Sequence, residues 1–257
     1  MLAKAAALPA DELVLDLEDA VAPADKTDAT RALVVEVVRA GAAAPTVAIR
    51  INGVRTRWWR DDLAAAAVAR PDCVVIPKVE SPDDVGAVAA LLPDGIGIEV
   101  QIETARGLVA VEQVAGAGHG LEALVFGPGD MAASLAMPKL TIGSGGDRWH
   151  YALARIVTAA RAFGLQAVDG PFARLGDLAG LRESALRSRA LGYDGKWAIH
   201  PEQIEPLNEL YAPTEAELER ARRILAAASG AGRLGNEMVD EVSLRLAQSI
   251  LARAGER

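Results

Sequence analysis

The sequence predicts an α/β protein of the (β/α)8 TIM-barrel class, on three observations. The chain has 257 residues, a typical length for one such barrel with an appendage. Its residues are 51% hydrophobic but only 4% aromatic, so the core must be built of Ala, Val, Leu and Ile, the mixture that fills parallel sheets and their covering helices. Short β-rich runs alternate with longer Ala-rich stretches, the order that parallel strands with helical crossovers produce.

The strands are expected, in order, at Leu13–Leu17, Thr46–Arg50, Cys73–Ile76, Gly97–Ile102, Ala123–Phe126, Gln166–Val168 and Lys196–Ile199. Between them, segments 57–69, 82–92, 107–117, 149–163 and 178–191 carry apolar residues at helical spacing, and several end in Gly as a C-cap would. Met1–Leu8 reads as a helix, since its apolar run is brief and acids follow at Asp11 and Glu12, unlike a signal peptide. Seven strands are one short of a closed barrel, and the chain opens on a helix, so the missing strand is the first. Residues 1–212 form the expected barrel domain. Beyond the Pro-marked loop at Tyr211–Pro213, residues 213–257 form a helical segment, with helices over 215–229 and from about Val239, expected to pack on the outside or on a neighbouring subunit.

Composition excludes several functions. A net charge of −8, with Lys and Arg scattered among acids, argues against nucleic acid as a partner. The one cysteine, Cys73, lies in an apolar run, which excludes a disulfide within the chain and points to a buried, inert thiol, not a thiolate metal site. No apolar run is long enough to span a bilayer, and a soluble cytoplasmic protein with no membrane partner is expected.

In a β/α barrel the active site is assembled at the carboxyl ends of the strands. Here those ends carry Asp16, Glu18 and Asp19, then Arg50 and Asn52, Lys78 and Glu80, Glu103, Asp130, Asp169 and His200. So many acids, with few histidines and no usable thiolate, select a hard, oxygen-loving cation, and Mg²⁺ fits best, with Glu103 and Asp130 on neighbouring strands as ligands. The Gly127-Pro-Gly129 turn before Asp130 allows close approach of backbone to ligand.

Bland readings stand beside these. Asp16, Glu80 and Asp169 are as well explained as helix caps. Asp240 can be the N-cap of the last helix, Lys78 can pair with a strand-end acid, and His200 can be an ordinary hydrogen-bonded histidine. Trp58, Trp59 and Trp197 read as packing groups, and His119 and His150 as surface residues.

The ordered runs Leu15-Asp-Leu-Glu-Asp-Ala-Val21, Arg50-Ile-Asn52, Pro77-Lys78, Glu103-Thr-Ala-Arg-Gly107, Phe126-Gly-Pro-Gly-Asp130, Asp169-Gly-Pro171 and Lys196-Trp-Ala-Ile-His-Pro201 resemble the citrate lyase β-subunit and malyl-CoA lyase family, the HpcH/HpaI aldolases. The resemblance runs from Met1 to the last helix. It implies a Mg²⁺-dependent carbon–carbon lyase that cleaves a β-hydroxyacyl-CoA, such as malyl-CoA, β-methylmalyl-CoA or citramalyl-CoA, into an acyl-CoA and a 2-oxo acid. Glu103 and Asp130 would hold the metal and Arg50 the substrate, with Glu18, Asp19 and Lys78 around them. Glu237-Met-Val-Asp240 resembles the element that reaches a neighbouring subunit's site, with Asp240 as acid/base, in a homotrimer or hexamer. One departure is that such proteins begin with a strand of the type Arg-Ser-x-Leu-x-Val-Pro-Gly, absent before Met1 here. Competing readings are a subunit acting on a citryl thioester of an acyl carrier protein, a metal-dependent aldolase acting on free hydroxy acids, and a non-catalytic relative.

Overall fold

A computed structural model of the chain describes residues 8–41, 44–138, 148–228, 233–234 and 237–256. The expected helix Met1–Leu8 thus lies, but for its last residue, outside the described residues. The chain divides into two compact units, Met1–Glu205 and Pro206–Arg257.

The first unit is built on one sheet of seven strands, all parallel and in chain order. These are β1 (Glu12–Asp16), β2 (Thr46–Arg50), β3 (Cys73–Ile76), β4 (Gly97–Ile102), β5 (Leu121–Phe126), β6 (Gln166–Asp169) and β7 (Gly195–Lys196). Every residue of β3 and β4 is buried, as expected of strands covered on both faces. The sheet curls: Val14 of β1 and Trp197, the residue after β7, both pack on the inward-facing Ala48, Cys73 and Val75. Seven strands around a packed interior make a TIM barrel lacking one strand, and among the described residues nothing pairs with the outer edges of β1 and β7.

The crossovers are α1 (Asp28–Ala40), α2 (Trp59–Ala69), α3 (Pro82–Ala89), α4 (Ala105–Val109), α5 (Val111–Ala115), α6 (Pro128–Ser134), α7 (His150–Ala162) and α8 (Leu178–Leu191). Their starts follow capping chemistry. Thr27, Thr104 and Asp177 accept a backbone amide of the first turn, Ser81 and Asp84 form a capping box, and Pro82 and Pro128 stand where a missing N–H costs nothing. The expected helix over 107–117 is split at Ala110 into α4 and α5. The expected strand over 196–199 shrinks to Gly195–Lys196: the ladder closes with Trp197 N donating to Asp169 O, and the next residues become cavity wall. Helix α1 has no Ala-rich signal. It buries Val34, with Val35, Val37 and Val38 partly buried, and is held as well by Arg31, which is buried on Asp62 of α2 at 2.8 Å.

The second unit contains most of α9 (Ile204–Tyr211), then α10 (Glu215–Ala228), the two-residue antiparallel pair β8 (Arg233–Leu234) and β9 (Glu237–Met238), and α11 (Glu241–Arg253). Leu218, Ala221 and Ile224 of α10 bury themselves against Ala247 and Leu251 of α11. The short β pair is an addition to the purely helical segment expected there. Among the described residues, no helix is long and apolar enough to cross a membrane.

Candidate active site

The carboxyl ends of the strands surround a cavity of about 290 Å³ lined by Asp16, Asp19, Arg50, Gln101, Glu103 and Asp130, with Val14, Pro171 and Trp197 as apolar wall. Parallel register makes the first contact. Asp16 and Arg50 are direct partners on β1 and β2, and the Arg50 guanidinium grips the Asp16 carboxylate at two points, Nε to Oδ1 at 2.8 Å and Nη2 to Oδ2 at 2.5 Å. Its other arm donates to Gln101 Oε1 at 3.2 Å and lies 3.3 Å from Glu18 Oε2, while Trp197 lies 5.5 Å below the guanidinium carbon. Burial pushes Asp16 up, but Arg50 and the amides of Glu18 and Ala20 outweigh it and hold the group below its ordinary value. Arg50 is therefore a permanently charged group fixed in orientation before any ligand arrives.

The second cluster centres on Lys78, which has a left-handed backbone (φ 54°) in the turn after β3. Its N–H donates to Glu103 Oε1 at 2.9 Å, and its ammonium touches Glu18 and lies 3.0 Å from Asp130 Oδ2. Glu103, at the end of β4, is 3% exposed. Burial, first, and the neighbouring charges of Glu18 and Asp130 push it up to about 7, although Lys78 opposes them. Gly127 makes room for it, since a Cβ there would come within 2.2 Å of Glu103 Oε2. Asp130 follows in the first turn of α6, after Pro128 at the helix start.

These residues fit a hard divalent cation. All donors are oxygens, Asp16, Glu18, Asp19, Glu103 and Asp130 outnumber Arg50 and Lys78 there, and burial raises Glu103 as long as no further cation offsets it. Residues 1–201 match the family model described as HpcH/HpaI aldolase/citrate lyase. The chain belongs to this family. Residues 150–255 also match a model for C–C bond lyases of the TIM-barrel fold. Among the similar proteins of the HpcH/HpaI family is an L-malyl-CoA/beta-methylmalyl-CoA lyase of Rhodobacter capsulatus, 40% identical over 98% of this chain and 89% of its own length. A (3S)-malyl-CoA thioesterase of Cereibacter sphaeroides is 37% identical over 98% of this chain and 90% of its own. The solved structure of CitE from Mycobacterium tuberculosis, in complex with magnesium, acetoacetate and coenzyme A, superposes with a TM-score of 0.82 at 34% identity, covering 99% of this chain and 93% of that one.

The first unit of this HpcH/HpaI chain brings Glu18, Asp19, Arg50, Lys78, Glu103 and Asp130 to one end of one sheet. Asp240, in the second unit, caps α11: its carboxylate accepts Ser243 N at 2.8 Å, which holds it below the ordinary carboxylate value. Other strand-end residues are structural. Asn52 ties Leu17 O to Asp62, Asp169 is buried on Lys196 at 2.6 Å, Glu80 meets Arg55 at the rim, and His200 accepts Glu202 N as a cap. Gln101 and Val14 were not anticipated. Period-two spacing from Glu103 and from Asp16 puts each on the same face as a recognised site residue, and that was the available signal.

Proposed function

We propose that this chain catalyses the reversible, Mg²⁺-dependent cleavage of a β-hydroxyacyl-CoA, such as malyl-CoA, β-methylmalyl-CoA or citramalyl-CoA, into an acyl-CoA and a 2-oxo acid. One observation carries the proposal: Arg50, Glu103 and Asp130, from β2, β4 and the turn after β5, line a single cavity in which the acids lack enough cations. Glu103 and Asp130 would hold Mg²⁺, which when bound supplies Lewis-acid polarisation of the oxo-acid oxygens.

The rest is the work of this chain's own groups. Cleavage needs a base to take the β-hydroxyl proton. The C–C bond then breaks toward the thioester, and the resulting enolate takes a proton at carbon. Asp240, supplied by a neighbouring copy of the chain in a trimer or hexamer, is the acid/base; being ionised, it can accept the hydroxyl proton. Arg50, pinned by Asp16 and Gln101, presents its charge to a substrate carboxylate or to enolate oxygen without reorganising. Glu18 orients both Arg50 and Lys78, Lys78 and Asp19 contact substrate from the rim, and Val14, Pro171 and Trp197 exclude water. A CoA thioester as substrate agrees with a cytoplasmic enzyme.

The similarity to a malyl-CoA thioesterase favours a second reading, in which the same cavity hydrolyses the thioester. Assaying the three CoA esters with and without Mg²⁺, and following 2-oxo acid and free thiol separately, decides between them. The lyase releases oxo acid without thiol, a thioesterase releases thiol without oxo acid, and no oxo acid from any ester contradicts the proposal.

A further inference from the structure

At the amino end of the same strands lies a second cluster. Glu12 opens β1, Cys73 opens β3, and Glu99 stands two residues into β4. Glu99, Gln101 and Glu103 alternate along one face of β4, so Glu99 points into the barrel below the cavity, as Glu12 does below Val14 and Asp16 on β1. One carboxylate oxygen from each acid and the Cys73 sulfur all lie within 4.8 Å of one another. The two carboxyls hydrogen-bond each other, and Cys73 bonds Glu99.

The cluster is short of partners. Glu99 is 7% exposed, yet its Oε2, like Glu12 Oε1, is buried without a hydrogen-bond partner. The charged groups acting on the pair are further acids, Glu122 and Asp72, and among the described residues no ion pair reaches Glu12 or Glu99. Two carboxylates this close, Glu99 buried and Glu12 half-buried, cannot both be charged without a cation between them. The donors themselves select that cation. Burial and the neighbouring acids hold Cys73 as a thiol, so only an ion that displaces its proton would join a thiolate to the two carboxylates, and sulfur favours a borderline transition ion over Mg²⁺.

We infer that Glu12, Cys73 and Glu99 bind one divalent transition-metal ion of the zinc class, at a structural site separate from the catalytic cavity. Such an ion would tie β1, β3 and β4 together at the end of the barrel away from the chemistry. Three protein ligands leave a fourth position for water, on the side where Glu12 is only half-buried.

Cobalt is a suitable probe, because only a thiolate ligand gives it a strong near-ultraviolet charge-transfer band, and Cys73 is the chain's one cysteine. The full chain, stripped with chelator and saturated with Mg²⁺ to fill any oxygen-only site, should develop that band on titration with Co²⁺, saturate at one equivalent, and lose it to Zn²⁺. Cys73→Ser should show no band and unchanged 2-oxo acid release from the β-hydroxyacyl-CoA. Zn²⁺ should raise the Tm of the wild type but not that of Glu99→Gln. A wild-type chain with no charge-transfer band would overturn the proposal whether or not the variants fold, leaving two carboxyls that share a proton. Equal Zn²⁺ stabilisation of wild type and Glu99→Gln would overturn it too.

Discussion

At the carboxyl end of the strands, Arg50 and Lys78 stand among Asp16, Glu18, Glu103 and Asp130; at the amino end, Glu12 and Glu99 are surrounded by Asp72 and Glu122. Both ends bury carboxylates that burial alone would protonate, Glu103 pushed up to about 7 and Glu99 to about 8. At the carboxyl end the compensation is partial and built in, with Asp16, Glu18, Glu103 and Asp130 each held by a fixed cation or amide beside an open cavity. At the amino end no cation among the described residues pairs with Glu12 or Glu99, and the inferred ion would balance their charge. The difference separates a site preorganised for a ligand that comes and goes from one that suits a resident ion.

The largest expected effect breaks the carboxyl end. Arg50→Ala should lower kcat/KM by about 10³-fold, since it removes a preorganised charge and leaves Asp16 and Glu18 buried without it. Arg50→Lys keeps the charge but not the two-point hold on Asp16, and should still cost about 10²-fold. Steady-state kinetics checks both, and wild-type activity in Arg50→Lys would mean that the grip on Asp16 plays no part. Next, Lys78→Met removes the ammonium between Glu18 and Asp130. Mg²⁺ should then bind about tenfold more tightly while the metal-free protein loses stability, read as a larger Mg²⁺-induced rise in Tm.

The amino end is best probed by pH. With all metal chelated, the folded chain keeps a proton on Glu99 up to about 8, whereas an unfolded glutamate loses it near 4.5. The native state therefore binds more protons in that window, and stability falls as pH rises through it, by at most about 1.4 kcal/mol per pH unit for this group. Denaturant unfolding at pH 5 and pH 8 should show a flatter dependence for Glu99→Gln than for wild type. The smallest effect on stability concerns Asp240. Asp240→Ala should lower Tm slightly through the lost N-cap, whereas Asp240→Asn keeps the cap. Loss of cleavage by Asp240→Asn at wild-type Tm would assign it the proton transfer; full activity would leave it only the cap.

Much of the barrel was legible because its strands are dense in β-branched residues and its topology gathers strand ends, so Arg50, Lys78, Glu103 and Asp130 could be placed together without coordinates. What escaped depends on lateral register. That Asp16 stands directly beside Arg50, and that Gln101 supports it, follows from pairings between strands far apart in sequence. The Glu12–Cys73–Glu99 cluster is invisible for the same reason. Each residue alone reads as an ordinary strand residue, and Cys73 as an inert thiol; only the curl of three strands makes them neighbours. Helix α1 was not among the expected helices although Val34, Val35, Val37 and Val38 give it an apolar face; the Arg31–Asp62 ion pair that adds to that face joins residues 31 apart and is not visible in the sequence.

The rate of 2-oxo acid release from a β-hydroxyacyl-CoA, measured against Mg²⁺ concentration for the wild type and Glu103→Gln, tests the central claim most directly. The wild type should be silent in chelator and rise to saturation, while Glu103→Gln stays at baseline at every concentration with its fold intact. Oxo acid released without metal, or the same saturation curve from both proteins, would contradict the assignment of Glu103 and Asp130 as the metal's holders.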